Sequence, residues 1–453
     1  MNENKTTLWF AVAAAVLLII AVIASPDRIT PSAFQDQGEP FFPDFNDPNT
    51  AAILEIVEFD NNTETALPFK VTFTKNRWSI PSHHDYPADN KDRLARIASG
   101  IIGITRDDFR SDNIADHESC GAIDPLDESN LASSGYGTRV TIKDIHDNIL
   151  ADLIIGIPVE GGQGFRFVRL PDEKRVYAVK TSIDISTKFE DWIDTDLLQV
   201  DNNKINRLSL HDYSIDERSG RLNEHDKLIL YKKDDDWTAR DIGYGKKVDS
   251  TKLSELKTAI DNLKIVGVRP KPAGLSQNLK KMNQEGQEIN RADLMNLQGK
   301  GFYFTRDGEL KSNEGELIVR TDEGVVYTLR FGEILYGTGL SVTAGTEEGD
   351  TGEGSAENRY LFITTEFDQS AFTEPPKPNN TDFLTIDDSL WTNADRENKT
   401  KYDVHEKWHK NVTDGRILSE TLNARFADWY YVISSESFDK LNLSRKDLIT
   451  NKE

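Results

Sequence analysis

The stretch His405-Glu406-Lys407-Trp408-His409 fits the pattern H-E-x-x-H. On a helix, His405 and His409 stand one turn apart on one face. They can then share a zinc ion while Glu406 activates a bound water. Such a centre needs a third protein ligand. No histidine follows at the spacing of an H-x-x-G-x-x-H extension, and Glu436 is a distant carboxylate that nothing links to the motif. Lys401, Asp403, Lys407, Lys410 and Asp414 give the segment the character of a solvated helix face. A zinc metalloprotease using His405, Glu406 and His409 is therefore the alternative reading, not the leading one.

Two more polar groups lie earlier in the chain: His83-His84-Asp85, and Asp116-His117-Glu118 with Cys120. If they met in space, the mixed N, O and S donors would suit a transition metal. Pro81 and Pro87 flank the tandem histidines, so turn chemistry is the plainer account. Residues 343–357, TAGTEEGDTGEGSAE, offer oxygens to calcium but lack the spacing of an EF-hand loop, and they read as an acidic surface loop. No Walker A element, Rossmann glycine fingerprint or G-x-S-x-G turn is present. No catalytic, cofactor-binding or metal-ligating residue is assigned, and no cofactor is expected.

The chain has 453 residues, with 54 basic and 77 acidic side chains, a net charge of −23. That balance argues against a nucleic-acid binder and against docking on anionic lipid through a basic patch. The single cysteine, Cys120, rules out an internal disulfide framework and a Cys-rich zinc ribbon. Seven Trp, 13 Tyr and 21 Phe supply enough large side chains for packed cores.

The run from Leu8 to Ala24, LWFAVAAAVLLIIAVIA, carries no charge. Ten of its residues are Leu, Ile, Val or Phe, which favours insertion by about 3–6 kcal/mol. With its neighbours it spans roughly 30 Å as a helix, the thickness of a bilayer core. The expectation is a cytoplasmic stub and transmembrane anchor over residues 1–28, contacting the lipid bilayer through Leu8 to Ala24. Lys5 and the amino terminus set the N-terminus inside. This makes a single-pass protein of the bacterial cytoplasmic membrane with its bulk periplasmic. Cleavage after Ala24, as in a signal peptide, is the rival reading. Residues 29–50, with Pro31, Pro40, Pro43 and Pro48, read as a linker.

Beyond residue 50 the chain carries an internal repeat at an offset of 159 residues. Phe69, Val71, Trp78, Leu94, Ile97, Ile101 and Ile104 map onto Leu228, Leu230, Trp237, Leu253, Leu256, Ile260 and Leu263. Alternation around the first three positions predicts strands, and the spacing of the last four predicts a helix. Both tryptophans are expected in the core rather than at a ligand. Hairpin patterns recur at residues 137–156 and 315–332. The expected fold is α+β: a transmembrane helix followed by two related antiparallel-sheet-plus-helix modules, residues 51–205 and 206–453. The second carries the acidic loop at 343–357 and a helical insert at about 385–428.

Several short motifs keep a recognisable order. They are Trp78-Ser79-Ile80-Pro81-Ser82-His83, Tyr86-Pro87-Ala88-Asp89, Phe165, Tyr177-Ala178-Val179 and Asp196-Leu197-Leu198. With the N-terminal run they resemble the bacterial domain of unknown function 4340. Arg425-Phe426-Ala427-Asp428-Trp429-Tyr430-Tyr431-Val432-Ile433-Ser434 is similar to the C-terminal part of longer, planctomycete-type members. The resemblance implies a membrane-anchored envelope protein, similar in setting to auxiliary parts of gliding-motility-type ABC transporters. It supplies no catalytic residue. The leading expectation is a non-enzymatic binding or assembly module with an envelope or ABC-transporter protein as partner.

Overall fold

The computed structural model describes residue 9, residues 12–17 and residues 36–452. Within the last range it leaves out 62–63, 90, 128–133, 217–220, 235, 276–278, 280–288, 307, 338 and 346–355. The chain forms two compact units. One comprises Met1–Phe73 and Lys91–Thr187, the other Thr74–Asn90 and Lys188–Glu453.

The chain opens with strands β1 (Ile53–Asp60), β2 (Thr65–Thr74), β3 (Arg77–Ile80) and β4 (Tyr86–Pro87), followed by helix α1 (Lys91–Ile102). Then come β5 (Asp108–Ser111), β6 (Thr138–Lys143), β7 (Ile149–Pro158), β8 (Phe165–Arg169) and β9 (Val176–Lys180). Strands β3 and β4 lie in the segment counted with the second unit. Within the first unit the sheet runs β2-β1-β6-β7-β8-β9-β5, every neighbour antiparallel. Period-two alternation drives it: Leu54 stands opposite Val71 and Ile142, and Ile56 opposite Phe69 and Val140, all buried. Each such side chain contributes about 1.5–3 kcal/mol by burial. Within residues 36–50, Phe41 and Phe45 are also buried.

The second unit continues with β10 (Ile205–Asp216), β11 (Arg221–Lys233), β12 (Asp236–Ala239), β13 (Lys246–Val248), α2 (Ser250–Asp261) and β14 (Gly267–Pro270). After α3 (Arg291–Gln298) come β15 (Phe302–Phe304), β16 (Leu310–Ser312), β17 (Glu316–Thr321), β18 (Val325–Gly337), α4 (Gly339–Thr343) and β19 (Ala356–Phe367). The chain closes with the 34-residue α5 (Asn393–Phe426), β20 (Trp429–Ser434), α6 (Ser435–Leu441), α7 (Arg445–Leu448) and β21 (Ile449–Asn451). The main sheet runs β12-β11-β10-β17-β18-β19-β20-β14, again antiparallel throughout. Setting β1, β2 and β5–β9 against β10, β11, β14 and β17–β20 gives the same order in both sheets. Leu208 faces Leu230 and Val319, and Leu210 faces Leu228 and Leu317, all buried on one sheet face. Asp249 caps α2 by accepting the amides of Thr251 and Lys252.

Two expectations are corrected here. The architecture is mostly antiparallel sheet with few helices, not the α+β fold read from the pattern. The reason is strand length. β11 and β18 run 13 residues each, and β10 and β19 run 12, so alternation buries most apolar side chains by cross-strand pairing. The second correction concerns the anchor. Among the described residues, no helix is long and apolar enough to cross a membrane. The transmembrane helix and the single-pass inner-membrane placement are therefore not supported. Within Leu8 to Ala24, residues 12–17 are described as helix. The other positions of that run, Trp9 apart, lie outside the described residues, as does most of the acidic loop at 343–357.

Candidate functional site

The H-E-x-x-H motif lies on α5. His405 is buried and His409 is exposed, with ring centroids 4.6 Å apart at a near-perpendicular angle. His405 Nε2 sits 3.5 Å from a Glu374 carboxylate oxygen, and Trp408 Nε1 donates to the Phe372 carbonyl at 3.4 Å. The motif thus tethers α5 to the segment before it. Glu406 is exposed, and Glu436 pairs with Lys440 at 2.6 Å. Among the described residues no group of three His, Cys, Asp or Glu side chains is placed to hold a metal ion.

The earlier polar clusters fall in different units and have different tasks. His83 is buried, stacked on Phe189 at 4.2 Å, and hydrogen-bonded through Nε2 to Thr343 Oγ1 at 2.9 Å. His84 takes a left-handed backbone, and its Nε2 donates to the Ala344 carbonyl at 2.6 Å. The pair fastens β3–β4 to the end of α4. Burial, then the neighbouring charges of His84 and Arg269, drives the His83 pKa down to about 4, so its imidazole is neutral. In the first unit, His117 Nε2 donates to the Lys174 carbonyl at 2.9 Å. Cys120 is buried beside Ala122 and Val176, and burial pushes its thiol pKa up. Such a thiol is a weak nucleophile.

The sequence reading missed a buried charge cluster. Glu316 on β17 stands opposite His211 on β10 and opposite Arg330 on β18. Its carboxylate lies 3.2 Å from Lys311 Nζ and 3.5 Å from Arg330 Nε, with His211 Nδ1 also at 3.5 Å. Burial pushes the Glu316 pKa up, but Arg330 and Lys311 outweigh it and hold the carboxyl below the usual glutamate value. His211, Glu316 and Arg330 lie on three neighbouring strands that sheet register sets side by side, and Lys311 reaches them from β16.

The two repeat tryptophans are not the core residues expected of them. Trp78 and Trp237 are both half-buried. Trp237 borders an open groove of about 910 Å³ between β12, β13, the start of α2 and β21. Lys246, Lys247, Lys257 and Lys452 line it. None of the four has an ion pair among the described residues. Lys257 Nζ stands 5.6 Å from the Trp237 ring centroid, and burial followed by the charge of Lys232 lowers the Lys257 pKa. Four lysines outnumber the two aspartates of the lining, Asp236 and Asp249, and in a chain of net charge −23 they form an anion-receptive surface. The available sequence signal was Lys246-Lys247 soon after Trp237, a short basic run in an acidic chain.

Residues 78–278, from β3 through β14, match the family described as a domain of unknown function (DUF4340). No curated protein and no solved structure matches the chain.

Proposed function

We propose that this chain is a non-enzymatic binding or assembly module whose partner is another protein. One observation carries the reading: the groove beside Trp237, open to solvent and lined by four lysines, none of which forms an ion pair among the described residues. The use of the histidines supports it. His83, His84 and His117 are spent on hydrogen bonds that hold loops, so they serve the fold rather than a reaction. The sequence resemblance points to an ABC-type transporter component as the partner. Crosslinking of the full-length chain in its native host, followed by mass spectrometry, tests this. Recurrent capture of one protein partner is expected, and recovery of the chain without any would overturn the reading. The metalloprotease alternative on His405, Glu406 and His409 would return only if purified protein carried stoichiometric zinc that His405→Ala removes.

A further inference from the structure

The edges of the Trp237 groove narrow what can lie in it. Strand β12 is the last in its sheet and bonds to β11 alone among the described residues. The Arg240 amide donates to the Ile229 carbonyl at 2.8 Å, continuing the β11–β12 ladder. Antiparallel bonding alternates along a strand, so Asp236 and Thr238 bond toward β11 while Trp237 turns its N–H and C=O outward. At an offset of 159 residues, β13 occupies the place of β4. Yet β4 pairs with β3, whereas β13 pairs with β21 and leaves the β12 edge without a ladder.

The charges are one-sided. Against the four lysines stand Asp236 and Asp249, and Asp249 is spent capping α2. Lysine ammoniums are compact point charges on flexible stems, which suit carboxylates spaced along a mobile chain. The Trp237 ring already carries Lys257 over its face. A carboxylate in the groove can meet Lys257 directly. An exposed strand edge offers main-chain partners that a polypeptide can use.

We propose that the groove beside Trp237 binds an acidic polypeptide segment in extended form, its carboxylates held by Lys246, Lys247, Lys257 and Lys452. This rests on the binding-module reading and names the ligand class of its site.

Fluorescence anisotropy with a labelled ten-residue glutamate-rich peptide and the full-length chain tests it. Saturable binding is expected, weakened by added salt. Lys246→Glu with Lys247→Glu should raise the Kd at least roughly tenfold without changing the Tm, since both side chains are exposed. Three results would overturn the proposal: no peptide binding, equal binding by the double variant, or preferred binding of a uronate oligosaccharide or single-stranded oligonucleotide of equal charge. Crosslinking that captures the same partner with the double variant as with the native chain would also overturn it. That outcome would leave the binding-module reading intact.

Discussion

Glu316 and Arg330 face each other across β17 and β18, with Oε2 3.5 Å from Nε, in a setting where Glu316 is 7% exposed. The carboxylate therefore serves several cations at once, since Lys311 reaches it too. Removing one member of a buried ion cluster leaves the others uncompensated. Glu316→Gln should cost about 3 kcal/mol in urea unfolding at neutral pH. Because the folded pKa is depressed, this contribution is present above the unfolded glutamate value. It is lost as pH falls through the folded one. The difference between native and variant protein should shrink below about pH 4.

His83 has the opposite dependence to a paired histidine. Its folded pKa, about 4, lies below the unfolded value near 6.5, so the unfolded chain binds the extra proton between them. Stability should rise with pH across that window, by about 2–3 kcal/mol in total. His83→Asn should flatten the slope between pH 4 and 6.5 in a denaturation series.

Lys271 offers a second titration. Its Nζ is buried with no hydrogen-bond partner, 5.9 Å from the Phe362 ring centroid. Burial brings its pKa down to about 8. The unfolded lysine, near 10.5, binds the proton over a range where the folded one has lost it. Stability should therefore increase from pH 8 to 10.5. Lys271→Met should raise stability at pH 7 by about 1 kcal/mol and abolish that increase.

Gly415 on α5 marks a close approach. A Cβ built there would lie 2.1 Å from the Glu323 carbonyl and 3.0 Å from the Phe367 ring. Gly415→Ala gains helix propensity of about 1 kcal/mol, but backbone on the turn between β17 and β18 cannot yield as a side chain can. A net loss of about 1–3 kcal/mol is expected, read as a lower Tm. An unchanged or higher Tm would contradict the packing.

The H-E-x-x-H helix allows a direct check. EDTA dialysis should leave the Tm of the full-length chain unchanged, and His409→Ala should behave like native protein because His409 is exposed. His405→Ala should lower the Tm modestly, through lost contact with Glu374 and Trp408.

By itself the sequence determined the local elements. Alternation marked the strands around Val71, Val140 and Leu230, and helical spacing marked Leu94 to Ile101 and Leu253 to Ile260. Those signals are short-range, so they survive without a partner. The share of sheet did not, because long strands are stabilised by neighbours far along the chain. Nor did the environment of Trp237. An apolar residue repeated at matching positions looks like core, and only the pairing of β13 with β21 decides that its flank lies open. The charge cluster at Glu316 shows the same limit. His211, Glu316 and Arg330 are ordinary surface-type residues in the sequence. They become one buried site because the register of three strands sets them side by side.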